Sequence, residues 1–210
     1  MANRTDPTAL TVHGTNPQYL IEKIIRSRIW GCVYWKSECF GLTSETIIER
    51  AADLEYVGGC FGGNEQPTAF LCLILKLLQL QPEKDIVLKY LKQEHFKYLT
   101  ALAAIYLRMV GAPIDIYRYL EPFYSDFRKL RKRLPNGSFT LIHMDEFIDE
   151  LLNEERVCDI ILPRVIKRVV LEDNGQLEIR RSALEDDLEE EEIDQLARVI
   201  FNILLSLFLP

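Results

Sequence analysis

Neither a GK[ST] tripeptide, nor a C-x-x-C pair, nor an apolar stretch of membrane-spanning length occurs in these 210 residues. The first absence removes the lysine and hydroxyl that a phosphate-binding loop sets on a nucleotide and its magnesium. The second leaves no structural zinc site, because the three histidines (His13, His95, His143) are far apart and Cys32 and Cys39 lack a further ligand pair. A membrane helix needs about 20 apolar residues. The nearest run, 199–209, has 11 positions and includes Asn202 and Ser206, so no membrane partner is expected. The five cysteines are an odd, scattered set, and residues 1–6 carry no apolar signal-peptide core. Free thiols in a reducing compartment are the expectation.

A basic surplus is missing too. The formal charge is −7, but residues 1–184 hold 24 acidic and 24 basic side chains, whereas 185–210 hold eight acidic ones and only Arg198. A neutral body argues against broad, sequence-independent nucleic-acid binding, which needs Lys and Arg to displace phosphate counterions. At 48% hydrophobic and 27% charged the composition is globular, and a chain this long buries about 70% of its unfolded surface.

Helical periodicity dominates what is there. Leu20, Ile21, Ile24, Ile25 and Ile29 predict an amphipathic helix over 17–30, entered at Asn16-Pro17. A second stripe, Ile47, Ile48, Ala51 and Leu54, follows a cap at Thr43 or Ser44. From Pro67 the chain is apolar nearly all round through Leu78, which predicts the central core helix. Pro82 opens another helix, a further one runs over 95–110, and Pro113 starts a Tyr-rich segment. Pro122 is expected to restart the chain into a helix through Leu130. Pro135-Asn136-Gly137 signals a turn before a strand-like stretch, 138–143, and helices resume over 145–152 and 163–171. The expected fold is all-α, a single compact domain of about nine or ten helices with at most one short β-hairpin near 137–143.

Several clusters invite chemistry. The loop Gly58-Gly59-Cys60-Phe61-Gly62-Gly63-Asn64 has the glycines of a phosphate loop but neither its lysine nor a preceding buried strand, so it reads as a tight interhelical loop. His143 beside Asp145 and Glu146 reads as capping and solvated charge rather than acid-base machinery. Arg128, Lys129, Arg131, Lys132 and Arg133 put five cations in six positions. They suit RNA phosphate, an acidic partner, import machinery, or simply a solvated helix end. Tyr117, Tyr119, Phe123, Tyr124 and Phe127 concentrate aromatic area that fits a core and a docking groove equally. The partner-binding candidates are therefore Tyr117, Tyr119, Tyr124, Phe127 and the five cations. No catalytic, cofactor or metal residue is assigned.

A co-linear series of motifs carries a resemblance. It comprises His13-Gly14-Thr15-Asn16-Pro17-Gln18-Tyr19-Leu20, Cys39-Phe40-Gly41-Leu42-Thr43, the glycine loop, and Leu78-Gln79-Leu80-Gln81-Pro82-Glu83-Lys84-Asp85-Ile86. Tyr119-Leu120-Glu121-Pro122, Phe147-Ile148-Asp149-Glu150-Leu151-Leu152 and the stretch from Glu155-Arg156-Val157-Cys158-Asp159 to Pro163-Arg164 complete it. Over 1–187 the chain resembles the N-terminal domain of the pre-mRNA-splicing factor 38 family. That resemblance implies a nuclear, all-α, non-enzymatic domain of the spliceosome, joining with or around the tri-snRNP and needed for activation. It also implies a hub for helical segments of other splicing proteins, among them the microfibrillar-associated protein 1 homologue and a small zinc-finger splicing protein. Direct RNA contact through 128–133 stays open as the alternative.

The expected domain is 1–184, followed by an acidic linker over 185–194, with seven acids in the eight positions 185–192. The tail over 195–210 departs from the family. Asp194, Arg198, Asn202 and Ser206 fall four apart against an otherwise apolar surround, which fits a docking helix or translated intron sequence.

Overall fold

The computed structural model describes residues 3–6 and 8–180. The chain divides into two units, one ending at Lys167 and the other beginning at Arg168. The acidic linker, the apolar tail and the expected domain edge at 184 lie outside the described residues.

The first unit opens with an irregular arm and a 3-10 turn, Pro17–Leu20, then α1 (Lys23–Gly31), α2 (Val33–Ser37) and α3 (Ile47–Ala52). The single helix expected over 17–30 is broken at Ile21 and Glu22. Asn16 caps the 3-10 turn through Gln18 N–H at 3.0 Å, and Ile21 is extended, which sends its fully buried side chain inward before α1 starts. The arm is held by the end of the core helix. Gln79 Nε2 donates to Arg4 O, and the Gln81 side chain bonds both Leu10 N–H and Leu10 C=O.

Two short strands, β1 (Cys60–Phe61) and β2 (Gln66–Pro67), precede α4 (Ala69–Leu80). Every residue of α4 from Phe70 to Gln79 is buried, as its all-round apolarity predicts. After α5 (Lys84–Leu91) comes α6 (Lys97–Val110), which is buried from Tyr98 to Met109 and packs on α3, α4, α5 and two later helices of the same unit. The core thus has two central helices where the sequence marks one. Thr100 and Arg108 disguise α6 as amphipathic, but both are buried and bonded. Arg108 Nε donates to Leu151 O at 2.7 Å and Nη1 to Pro163 O at 2.8 Å. Ala101, Ala103 and Ala104 are fully buried and let neighbouring helices close in.

α7 (Pro113–Leu120) runs into a 3-10 turn, Glu121–Ser125, and then β3 (Lys129–Arg133) pairs antiparallel with β4 (Phe139–His143). The helix expected from Pro122 through Leu130 is corrected here. It stops at Ser125, and the basic run is a strand rather than a helix end. The cause is non-local. β3 pairs with β4 along one edge, and on the other Val57 N–H donates to Arg131 O and Arg133 N–H to Val57 O, both at 2.8 Å. The turn between the strands has the expected chemistry: Gly137 is left-handed (φ 88°) and Asn136 Oδ1 accepts from Ser138 N.

α8 (Met144–Asn153) follows, with Met144, Phe147, Ile148 and Leu151 buried, and Phe147 meets Phe70 of α4 edge to face. His143 stands at its N-cap, where Glu146 Oε2 accepts the His143 N–H at 2.7 Å. The last pair, β5 (Arg156–Val157) and β6 (Ile160–Ile161), is a two-residue hairpin turning on Cys158 and Asp159, both left-handed. Among the described residues the fold is mostly α-helical, and the hairpin expected near 137–143 is joined by two minimal strand pairs. Residues 163–167 stay irregular where a helix was expected, because Arg108 takes the Pro163 carbonyl and the Tyr117 hydroxyl donates to the Ile166 carbonyl. In the second unit, α9 (Arg168–Asp173) carries an ion pair between Arg168 and Glu172.

The glycine loop is a junction of three segments. Gly58 O accepts the Thr68 hydroxyl at 2.6 Å and Gly59 O accepts Thr68 N–H, and the same hydroxyl caps α4 through Leu71 N–H. Cys60 N–H donates to Asp159 Oδ2 at 2.6 Å, and Gly62 N–H donates to Pro135 O. The anion that the loop's amide takes is the chain's own carboxylate. A Cβ on Gly59 would collide with Asp159 Oδ2 and stand 2.5 Å from Cys158 O, whereas one on Gly63 would meet nothing within 4 Å.

Two outcomes are expected in chemical denaturation. Gly59→Ala loses about 1–3 kcal/mol or fails to fold, while Gly63→Ala stays within about 0.5 kcal/mol of the parent. Thr68→Val, which keeps the shape but leaves Gly58 O and Leu71 N–H without their partner, loses about 1–3 kcal/mol, and Thr68→Ser recovers most of it.

Candidate interaction surface

Alternation along the β3–β4 hairpin sorts the basic run into two faces. Leu130 and Lys132 point inward: Leu130 is fully buried and Lys132 Nζ pairs with Glu150 of α8 at 2.5 Å. Register puts Lys129, Arg131 and Arg133 opposite His143, Leu141 and Phe139 on the outer face. Lys129, Arg131, Phe139 and Leu141 are exposed there, and none of the six residues is acidic.

The two outer arginines are stacked on rings. Arg131 lies over Phe139 at 4.4 Å, and Arg133 over Phe61 at 3.4 Å, with Tyr56 and Phe139 5.3 and 5.2 Å away. Tyr56 and Phe139 meet edge to face, and Arg133 Nη1 donates to the Tyr56 hydroxyl at 3.1 Å. Each guanidinium is thus oriented by an aromatic face rather than by a carboxylate.

The remaining candidates scatter. Arg128 grips Asp126 through Nε and Nη2 and reaches Gln93 O and Glu94 O through Nη1, tying the chain before β3 to the loop between α5 and α6. Tyr117 is buried. Tyr119 is half-buried beneath the Lys84 ammonium at 5.4 Å. Tyr124 donates to Asp149 Oδ1 at 3.1 Å. Phe127 is 69% exposed, at the rim of a cleft of about 380 Å³ that also borders Gln93, Glu94 and Arg128. Of the nine candidates, the hairpin brings Lys129, Arg131 and Arg133 together on one face, and Arg128, Lys132 and Tyr117 act as internal fasteners.

Sequence reasoning missed Tyr56, Phe61, Phe139 and Leu141. For the last two a signal existed: the Pro-Asn-Gly turn lies midway between the basic run and the alternating stretch 139–143, as the centre of a hairpin does. Tyr56 and Phe61 reach the site through the glycine junction, which leaves no local trace.

Residues 10–175 match the model of the PRP38 family. The chain is similar to pre-mRNA-splicing factor 38A of Homo sapiens, 59% identical over 192 residues that cover 91% of this chain and 62% of that protein. To its counterpart in Danio rerio it is 58% identical over 195 residues, 93% of this chain and again 62% of the relative. It therefore spans less than two thirds of the length of these relatives. It is also similar to a chain in the crystal structure of the Snu23-Prp38-MFAP1(217-258) complex of Chaetomium thermophilum, with 45% identity, a TM-score of 0.82, and coverage of 89% of this chain and 99% of that one. The motif series from His13 to Arg164 lies within the span of the family model, and the chain belongs to the PRP38 family.

Proposed function

We propose that this chain is a non-enzymatic, nuclear scaffold subunit of the spliceosome that holds helical segments of other splicing proteins. The observation that carries this reading is the likeness, over most of the chain, to a protein solved together with Snu23 and a short MFAP1 fragment. The counterparts of those two proteins are the partners proposed here. In the same reading, the chain joins with the tri-snRNP and acts when the spliceosome is activated. A segment as short as residues 217–258 fits recognition by a helix laid in a groove, anchored at spacings of three and four residues.

The outer hairpin face is the docking surface we assign to an acidic, amphipathic helix. Lys129, Arg131 and Arg133 give it one sign of charge, and exposed Phe139 and Leu141 give it apolar anchors. Charge complementarity of this kind steers encounter and fixes register. Direct RNA contact is the second reading, favoured by the Arg131–Phe139 stack, since cations beside exposed rings also suit unpaired bases.

Lys129→Glu with Arg131→Glu tests both. Calorimetric titration with the two partner fragments is expected to show one of them weakened by about tenfold or more, with the melting temperature within about 2 °C of the parent because both side chains are exposed. Unchanged affinities for both fragments would remove the hairpin as a docking face. Failure of the unaltered chain to bind either fragment would remove the scaffold reading. If RNA is the partner, the same variant loses a salt-sensitive RNA affinity that the parent displays, and no such affinity in the parent eliminates that reading.

A further inference from the structure

We propose that Cys32 and Cys72 form a peroxide-sensitive thiol pair that closes to a disulfide and pins the corner between α1 and α2 to the central helix α4. The two sulfurs are 3.6 Å apart, in van der Waals contact. Cys72 lies on the buried stretch of α4, while Cys32 is the half-buried one of the five cysteines and the single residue between Gly31, which ends α1, and Val33, which begins α2. Its backbone is extended (φ −73°, ψ 154°). A disulfide needs the sulfurs to approach by about 1.5 Å, and Cys32, outside both helices, is the residue placed to make that shift.

The surroundings divide the roles. The two thiols share a hydrogen bond, the Cys32 sulfur also accepts Trp35 N–H at 3.4 Å, and Lys36 adds a nearby positive charge. Cys72 hydrogen bonding pulls Cys32 down to about 6, while the same contact and burial push Cys72 up. Burial raises Cys39 and Cys158 to about 12 and Cys60 to about 11. Cys32, half-buried at the corner with Trp35 N–H on its sulfur, is thus the thiol that ionises more readily and attacks peroxide, and buried Cys72 is the resolving thiol in contact with it.

The chemistry balances with hydrogen peroxide as the oxidant. The Cys32 thiolate attacks one peroxide oxygen; an S–O bond forms, the O–O bond breaks, and the leaving hydroxide takes up the proton that Cys32 released on ionising. Cys72 then attacks the Cys32 sulfenic sulfur; the S–S bond forms, the S–O bond breaks, and the hydroxyl departs as water with the Cys72 thiol proton. The peroxide is reduced to two waters and the thiol pair loses two hydrogens. The covalent link closes a loop of 40 residues in sequence, which restricts the unfolded chain and raises thermal stability.

The test exposes the full chain to hydrogen peroxide, blocks residual thiols by alkylation and maps unreduced peptides by mass spectrometry. The expected product is one linked pair joining Cys32 to Cys72, lighter by two hydrogens, with a raised melting temperature that dithiothreitol reverses. In Cys72→Ser the Cys32 sulfenic acid persists and is captured by dimedone; Cys39→Ser leaves the link intact. Recovery of Cys32 and Cys72 as alkylated thiols, or a link from Cys32 to Cys39 instead, overturns the proposal. Should Cys72→Ser fail to fold, the mapping of the unaltered chain decides alone.

Discussion

The close approach of the Cys158-Asp159 turn to Gly59 is the contact on which the rest of the molecule depends. Because Gly59 has no Cβ, the turn presses directly on its backbone, and the Asp159 carboxylate reaches the Cys60 amide. From that point three systems are fastened together. Thr68 binds both Gly58 and Gly59 and caps α4, so the first turn of the core helix is set by the loop. Val57 forms the second edge of β3, and Gly62 holds the turn of the hairpin. Filling the Gly59 position would push on the helix cap and the hairpin at once, which is why overpacking there is more damaging than at a surface glycine.

That junction also explains which parts of the fold were legible in the sequence. The core helix α4 was, because all-round apolarity over a dozen residues has no other soluble reading. The turn at Asn136-Gly137 was too, since its chemistry is local. The strand over 129–133 was not: Lys-Leu-Arg-Lys-Arg has one apolar residue and follows a proline-started turn, so local propensity favours a helix end. What decides it is pairing with Val57, more than seventy positions earlier, and with β4. The buried character of α6 was hidden for a related reason. Arg108 reads as an outward cation until its two carbonyl partners, Leu151 and Pro163, are in place.

The candidate surface was half legible. The basic run stood out by composition, but composition cannot separate cations that hold the fold from cations that face outward. Strand alternation makes that division: Lys132 turns in to Glu150, and Arg131 and Arg133 turn out. The aromatic cluster divided likewise. Tyr117 and Tyr124 spend their hydroxyls on Ile166 and Asp149, and the rings that meet the outer cations are Phe139, Phe61 and Tyr56. No periodicity in the chain pairs residues 56 and 61 with residue 133; only the glycine junction does.

Rigidity matters to a docking surface because it lowers the cost of binding. Binding a helical segment costs rotational freedom and the ordering of long side chains, roughly 0.5–1.5 kcal/mol for each flexible side chain immobilised. Arginines already stacked on rings have met much of that cost during folding. Arg133, bonded to the Tyr56 hydroxyl and lying on Phe61, is the more fully oriented of the two. Arg131, stacked on an exposed Phe139, is itself exposed. The hairpin that presents them is in turn clamped by Val57 on one edge and by the Lys132–Glu150 pair beneath. A local surface of five-residue strands is therefore fastened to the body on one edge and from beneath, and that is the property the proposed docking role needs.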